Sequence, residues 1–305
     1  MRVHANGVEI EFESAGVEDA PAILLIMGLG TQMTRWPRAL IETLVAAGYR
    51  VIRFDNRDVG LSTRMEHAGV PDMAALMSAL LAGEPAPVAY TLEDMASDAV
   101  GLLDALGIER AHVVGVSMGG MIAQIVAARH PGRTLSLTSA MSSSGNPSLP
   151  RASDGVLAMM ASPRPDADDE EGIVERAVMG AAMLGSPGYP VDEEVRRAAA
   201  REDYRRGYYP AGVARQMAAI MAGGDRRQLL RTITAPTVVI HGKDDPLVSV
   251  ESGRDTAANI EGAELLELAG MGHDLPDELV PAVAAAILAT AKRGANMVPS
   301  RRAIA

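Results

Sequence analysis

The 305-residue chain contains no cysteine, so disulfides, thiolate metal sites and a cysteine nucleophile are all excluded. Aromatic residues are scarce as well, at 3% with a single tryptophan, while 18 methionines supply much of the large apolar volume. Positive charge is in deficit, with 28 Lys and Arg against 39 Asp and Glu and a formal net charge of −11. No basic run stands out, which argues against a nucleic-acid partner. Apolar runs such as Ala22 to Met27 are far too short to span a bilayer, and Met1 to Gly16 lacks the basic and apolar regions of a signal peptide. The expectation is a cytoplasmic protein with no membrane partner. A hydrophobic content of 48% is ample for one large α/β domain carrying an insertion.

Strand-like and helix-like patterns alternate along the chain. Arg2 to Ala5 and Val8 to Ser14 flank Asn6-Gly7, a hairpin signal. Ala22 to Met27 and Arg50 to Phe54 read as buried strands, with helical spacing from Trp36 to Ala47 between them. Pro71 to Leu81 predicts a short helix, and Thr91 an N-cap for a helix reaching Leu106. Ala111 to Val116 and Thr134 to Ala140 are further strands. From about Ser142 to Arg231 only helical patterns occur, near residues 154–161, 169–184, 192–204 and 208–222. The alternation resumes with a strand at Thr237 to His241, a helix near 251–259, a strand at Glu264 to Leu268 and a helix from Glu278 to Lys292, before a loose tail from Ala295 to Ala305. Such a rhythm predicts an α/β fold, a mostly parallel twisted sheet with helices on both faces. Residues 1–141 and 232–305 form its core, and 142–231 a helical lid inserted between two strands.

Within that rhythm, Gly115-Val116-Ser117-Met118-Gly119 sits where a strand meets a helix. Gly-x-Ser-x-Gly in this context is a nucleophile elbow, whose tight turn tolerates only tiny residues two positions either side of the serine. A serine hydroxyl needs a base to take its proton, and the base needs a carboxylate to orient it. Of six histidines, His273 alone lies on a glycine-rich loop between the last strand and the last helix. His4 sits in the hairpin, His67 in a polar loop, His112 at the far end of the elbow strand, His130 at a helix terminus, and His241 ahead of a glycine turn. The acid is expected after a late strand, where Asp244 and Asp245 are adjacent. Asp245 precedes Pro246, which holds it in an extended turn, and is preferred on that ground. The order Ser117, Asp245, His273 is the one found on α/β-hydrolase sheets.

With these residues in place, the chain resembles the α/β-hydrolase superfamily, and within it bacterial carboxylesterases of the aclacinomycin methylesterase type. The resemblance runs through Ile26-Met27-Gly28-Leu29-Gly30, Arg53 to Ser62, His112 to Gly119 and Gly270-Met271-Gly272-His273. It implies an oxyanion hole built from the backbone N–H groups of Leu29 and Met118. Relatives often carry His-Gly where this chain has Met27-Gly28, and a glycine where it has Asp58. Arg57 and Asp58 read as structural. The resemblance implies a serine esterase acting through an acyl-enzyme on a small-molecule ester with a small to medium acyl group, and no metal or organic cofactor is indicated. A methionine-rich apolar pocket is expected, drawn from Met27, Gly28, Trp36, Met159, Met183 and Met217. Ordinary packing within helices is the competing account of those methionines. The same triad serves carbon–carbon bond hydrolases, for which Arg205 or Arg206 would hold a substrate carboxylate, and also lactonases, thioesterases and perhydrolases. A ligand receptor that keeps a triad is the reading from outside enzymology. The sequence does not fix the oligomeric state.

Overall fold

The computed structural model describes residues 1–163 and 165–297; most of the tail expected from Ala295 to Ala305 lies outside them. Eight apolar or alternating runs pair into one sheet: β1 (Arg2–Ala5), β2 (Val8–Ala15), β3 (Ala22–Ile26), β4 (Arg50–Phe54), β5 (Ala111–Val116), β6 (Thr134–Ala140), β7 (Thr237–Gly242) and β8 (Glu264–Leu268). Their spatial order is β1-β2-β4-β3-β5-β6-β7-β8. The first two strands run antiparallel, and every pairing from β4 to β8 is parallel.

Side chains alternate across the sheet as the pleat requires. In β3, Ala22, Leu24 and Ile26 enter one apolar cluster, while Ile23 and Leu25 enter the other. The first cluster is closed by α3 (Leu92–Ala105) and α4 (Met118–Arg129), the second by α1 (Arg38–Ala46) and α11 (Val280–Asn296). Full burial of one such Leu or Ile contributes about 1.5–3 kcal/mol, so this two-faced packing holds the sheet. Thr91 caps α3 as its sequence predicts: its hydroxyl accepts from Asp94 N–H at 3.2 Å, and the Asp94 carboxylate accepts from Thr91 N–H at 2.8 Å. The short α2 (Met73–Ala82) follows β4, and α10 (Val250–Ala258) packs on β7 and β8.

Between β6 and β7 the chain forms α5 (Asp154–Ala161), α6 (Glu170–Leu184), α7 (Glu193–Gly207), α8 (Pro210–Ala222) and α9 (Arg227–Leu230). No strand occurs among the described residues of this segment. Its own buried apolar cluster is small, Val174, Val178 and Ala200. Ala219 of α8 and Leu230 of α9 join the core cluster that α3 and α4 close, and α9 packs on α4.

Candidate active site

Three strands end at one rim of the sheet, and the candidate residues lie on the turns that leave them. After β5 the backbone turns at Ser117 with φ 54° and ψ −122°, a conformation that side chains rarely adopt, and enters α4. The turn is held by Ser117 N–H donating to the Ala140 carbonyl at 2.9 Å, and by the Ser142 hydroxyl donating to the Ser117 carbonyl at 2.8 Å. The flanking glycines have no room for a side chain. A Cβ on Gly115 would fall 2.0 Å from the Gly119 carbonyl oxygen, and one on Gly119 would fall 2.1 Å from that of Ile26.

His273 arrives from the loop after β8. Its Nε2 lies 3.0 Å from Ser117 Oγ, and its Nδ1 2.7 Å from Asp245 Oδ2. A carboxylate only accepts, so Nδ1 carries the proton and Nε2 is left to accept from the serine hydroxyl. Asp245 is fixed in turn: its Oδ1 accepts from the N–H groups of Leu247 and Val248 at 2.9 and 2.8 Å. Asp244 faces elsewhere, with its carboxylate accepting from Gly270 N–H at 2.8 Å. The pair left open by sequence is therefore distinguished by geometry, since only Asp245 meets His273.

A second histidine flanks the acid. His241, fully buried, donates from Nε2 to the Val248 carbonyl at 2.8 Å, and the same nitrogen lies 3.6 Å from Asp245 Oδ2. Burial pushes its pKa down, against the hydrogen bond to Val248 and the charge of Asp245, so it sits there neutral. Sequence reasoning set His241 aside because of the turn that follows it. The i, i+4 spacing to Asp245 across that turn was the available signal.

The loop after β3 lies against the serine. A Cβ placed on Gly28 would be 3.1 Å from Ser117 Cβ and 3.7 Å from Ser117 Oγ. Leu29 follows it in this loop, and Met118 opens α4 with its side chain buried in the core. Met27 is buried at the same rim, and Met217 lies one turn along α8 from Val213, which packs on Gly30. Trp36 is 3% exposed and packs in the core cluster with Met27 and Leu40. Met159 packs against Gly180 of α6. Met183 is 42% exposed and lines a cavity of about 320 Å³ with Ser186, Arg196, Asp244 and Pro246. Helical spacing alone does not say which side of a helix faces a site.

Arg205 and Arg206 are both engaged. Arg205 pairs with Glu170 at 3.2 Å on the surface, and Arg206 reaches buried Asp55 at 2.7 Å and Gln32 at 2.6 Å. Arg57 and Asp58 make buried ion pairs, Arg57 with Asp98 at 2.6 Å and Asp58 with Arg215 at 2.8 Å. Burial alone would raise the Asp58 carboxyl, but Arg215, Met65 N–H and the Tyr90 hydroxyl outweigh it and hold it below its ordinary value.

Residues 21–278 match the α/β hydrolase fold family. The chain is 32% identical over 289 residues to the rhodomycin D methylesterase DnrP of Streptomyces peucetius, covering 89% of this chain and 90% of that one. It is 28% identical over 271 residues to a 2-hydroxy-6-oxononadienedioate/2-hydroxy-6-oxononatrienedioate hydrolase of Paraburkholderia xenovorans, covering 87% and 84%. Among solved structures it superposes on a meta-cleavage product hydrolase from Pseudomonas fluorescens IP01 with a TM-score of 0.73 and 21% identity, covering 95% of this chain and 96% of that one. In fold, strand order and sequence, the chain belongs to the α/β hydrolase fold family.

Proposed function

We propose that this protein is a serine carboxylesterase that cleaves esters of small to medium acyl groups. The observation that carries the reading is the continuous hydrogen-bonded line Ser117 Oγ, His273, Asp245, set on an elbow at the end of β5. Identity to a methylesterase over nine-tenths of its length supports the same chemistry and makes methyl esters the first natural-type substrates to try.

Ser117 Oγ attacks the ester carbonyl while His273 Nε2 takes its proton. The resulting imidazolium is held by Asp245, whose second oxygen is already tied to two backbone N–H groups. The tetrahedral oxyanion is received by the N–H groups of Leu29 and Met118, each such donor contributing about 3 kcal/mol in comparable sites. His273 then returns the proton to the departing alcohol, leaving an acyl-enzyme. Water then enters where the alcohol left, gives its proton to His273 and attacks the acyl carbonyl; the acid departs as His273 returns the proton to Ser117 Oγ. The helices of 142–231 serve as the cap over this rim.

Ser117→Ala should lower turnover of p-nitrophenyl acetate or butyrate by about 10⁴-fold or more, with the folded state intact by circular dichroism. Unchanged turnover would end the proposal. A carbon–carbon bond hydrolase on the same triad is less well supported, because Arg205 and Arg206 are both occupied by carboxylates of this chain. A receptor predicts ligand binding without ester turnover by the wild-type chain.

A further inference from the structure

The loop that supplies Leu29 is held by three successive peptide groups. The first, Met27–Gly28, has its carbonyl tied by the buried Asn56 amide at 3.0 Å. The second, Gly28–Leu29, has its carbonyl tied by Thr31 N–H at 3.2 Å, closing a turn in which Gly30 has φ +63°. The third, Leu29–Gly30, is gripped at both ends. Its N–H donates to Gln216 Oε1 at 2.8 Å, and its carbonyl accepts from the Thr31 hydroxyl at 3.1 Å.

Gln216 stands on α8, inside the inserted segment, and its side chain is fully buried. Its other end donates from Nε2 to the Arg57 carbonyl at 2.8 Å, so the amide is oriented and spans the loops after β3 and β4. Val213 of α8 packs on the same turn, where a Cβ on Gly30 would fall 2.8 Å from its Cγ2. Because Gly30 N–H is consumed by Gln216, it cannot turn toward a substrate. The middle peptide is the one whose N–H has no part in this clamp, and it belongs to Leu29.

We infer that Gln216 is a positioning residue for the oxyanion hole: by fixing the Leu29–Gly30 peptide it aims Leu29 N–H at the developing oxyanion, so the inserted segment completes the site. This rests on the esterase reading and deepens it. A 1 Å displacement of such a donor can cost on the order of 10²-fold. Gln216→Met keeps the length and apolar volume of the side chain while removing its acceptor and donor.

The test compares wild type, Gln216→Met and Thr31→Val on p-nitrophenyl butyrate, with fluorophosphonate labelling alongside. Gln216→Met should lower kcat by about 10- to 100-fold with KM essentially unmoved, as expected for an interaction made in the transition state. Affinity for a trifluoromethyl ketone, whose adduct with Ser117 carries the same oxyanion, should fall by a similar factor. Thr31→Val releases the same peptide from its other end and should show the same pattern more weakly. It also decides the matter if Gln216→Met does not fold. Full kcat in Gln216→Met, or losses confined to KM, would overturn this inference while leaving the esterase reading in place. A wild-type chain that takes no label and turns over no ester would overturn both.

Discussion

The sheet and the helices inserted in it are held together by different physics. The sheet buries two broad apolar clusters, one on each face, built from residues that alternate in or out along every strand. Among the described residues, the helices between β6 and β7 form one small separate cluster, Val174, Val178 and Ala200, while Ala219 of α8 joins the cluster under α3 and α4. They are further tied by directed polar contacts to the loops at the Ser117 rim: Arg215 to Asp58, Arg206 to Asp55, Gln216 to Gly30, and Ser186 to Gly272 and Asp274. Leu184 and Gly188 add backbone bonds to the His273 loop, at 2.7 Å to His273 N–H and 2.9 Å to the Gly270 carbonyl. The sheet therefore sets where the rim is, and the insertion sets how its loops stand.

That contrast can be broken from either side. The largest effect is expected at the elbow, where Gly119→Ala would drive a Cβ to within 2.1 Å of the Ile26 carbonyl. Backbone has no means of yielding there, so the variant should fail to accumulate as folded protein, measured by soluble yield and circular dichroism. Next is Arg215→Met, which leaves Asp58 buried without its cation. The expected loss is about 3–5 kcal/mol in a denaturant titration. Arg197→Met is the matching control: Arg197 binds Glu171, Glu175 and Glu193, whose carboxylates are exposed, and its loss should cost no more than about 1 kcal/mol. Equal losses from the two arginines would erase the distinction between ties to the rim and ties at the surface.

A smaller, pH-dependent effect belongs to the sheet. Burial, with some help from Arg110, pushes the pKa of His112 down from 6.5 to about 4. Between those values the unfolded chain binds a proton that the folded one refuses. Stability therefore falls as pH drops from 6.5 toward 4, by about 3 kcal/mol in all. His112→Gln should flatten that part of the stability curve; an unchanged slope would place the acid sensitivity elsewhere.

The same contrast explains what could be read from sequence. Period-2 apolar runs and the glycines about Ser117 report local constraints, and β3, β5 and the start of α4 stand where those patterns put them. The meeting of His273 with Ser117 and Asp245 was legible because each follows a strand at the same rim, where a parallel sheet gathers its loops. The clamps were not. Gln216 meets Gly30 across 186 residues and Arg215 meets Asp58 across 157, and no periodicity links such positions. Asp58, at φ 67° and fully buried, shows why such ties matter, because a buried carboxylate needs a partner. For the same reason the pattern does not say what Trp36, Met159 or Met183 will face: apolar side chains do not name their neighbours.

Ser117 as the acyl-carrying nucleophile is the claim on which the rest depends. Intact-mass spectrometry after treatment with a fluorophosphonate tests it most directly. A single phosphonyl adduct on the peptide containing Ser117, absent from Ser117→Ala together with ester turnover, is the predicted result. Ester turnover that persists in Ser117→Ala, or an adduct on another residue, would contradict it.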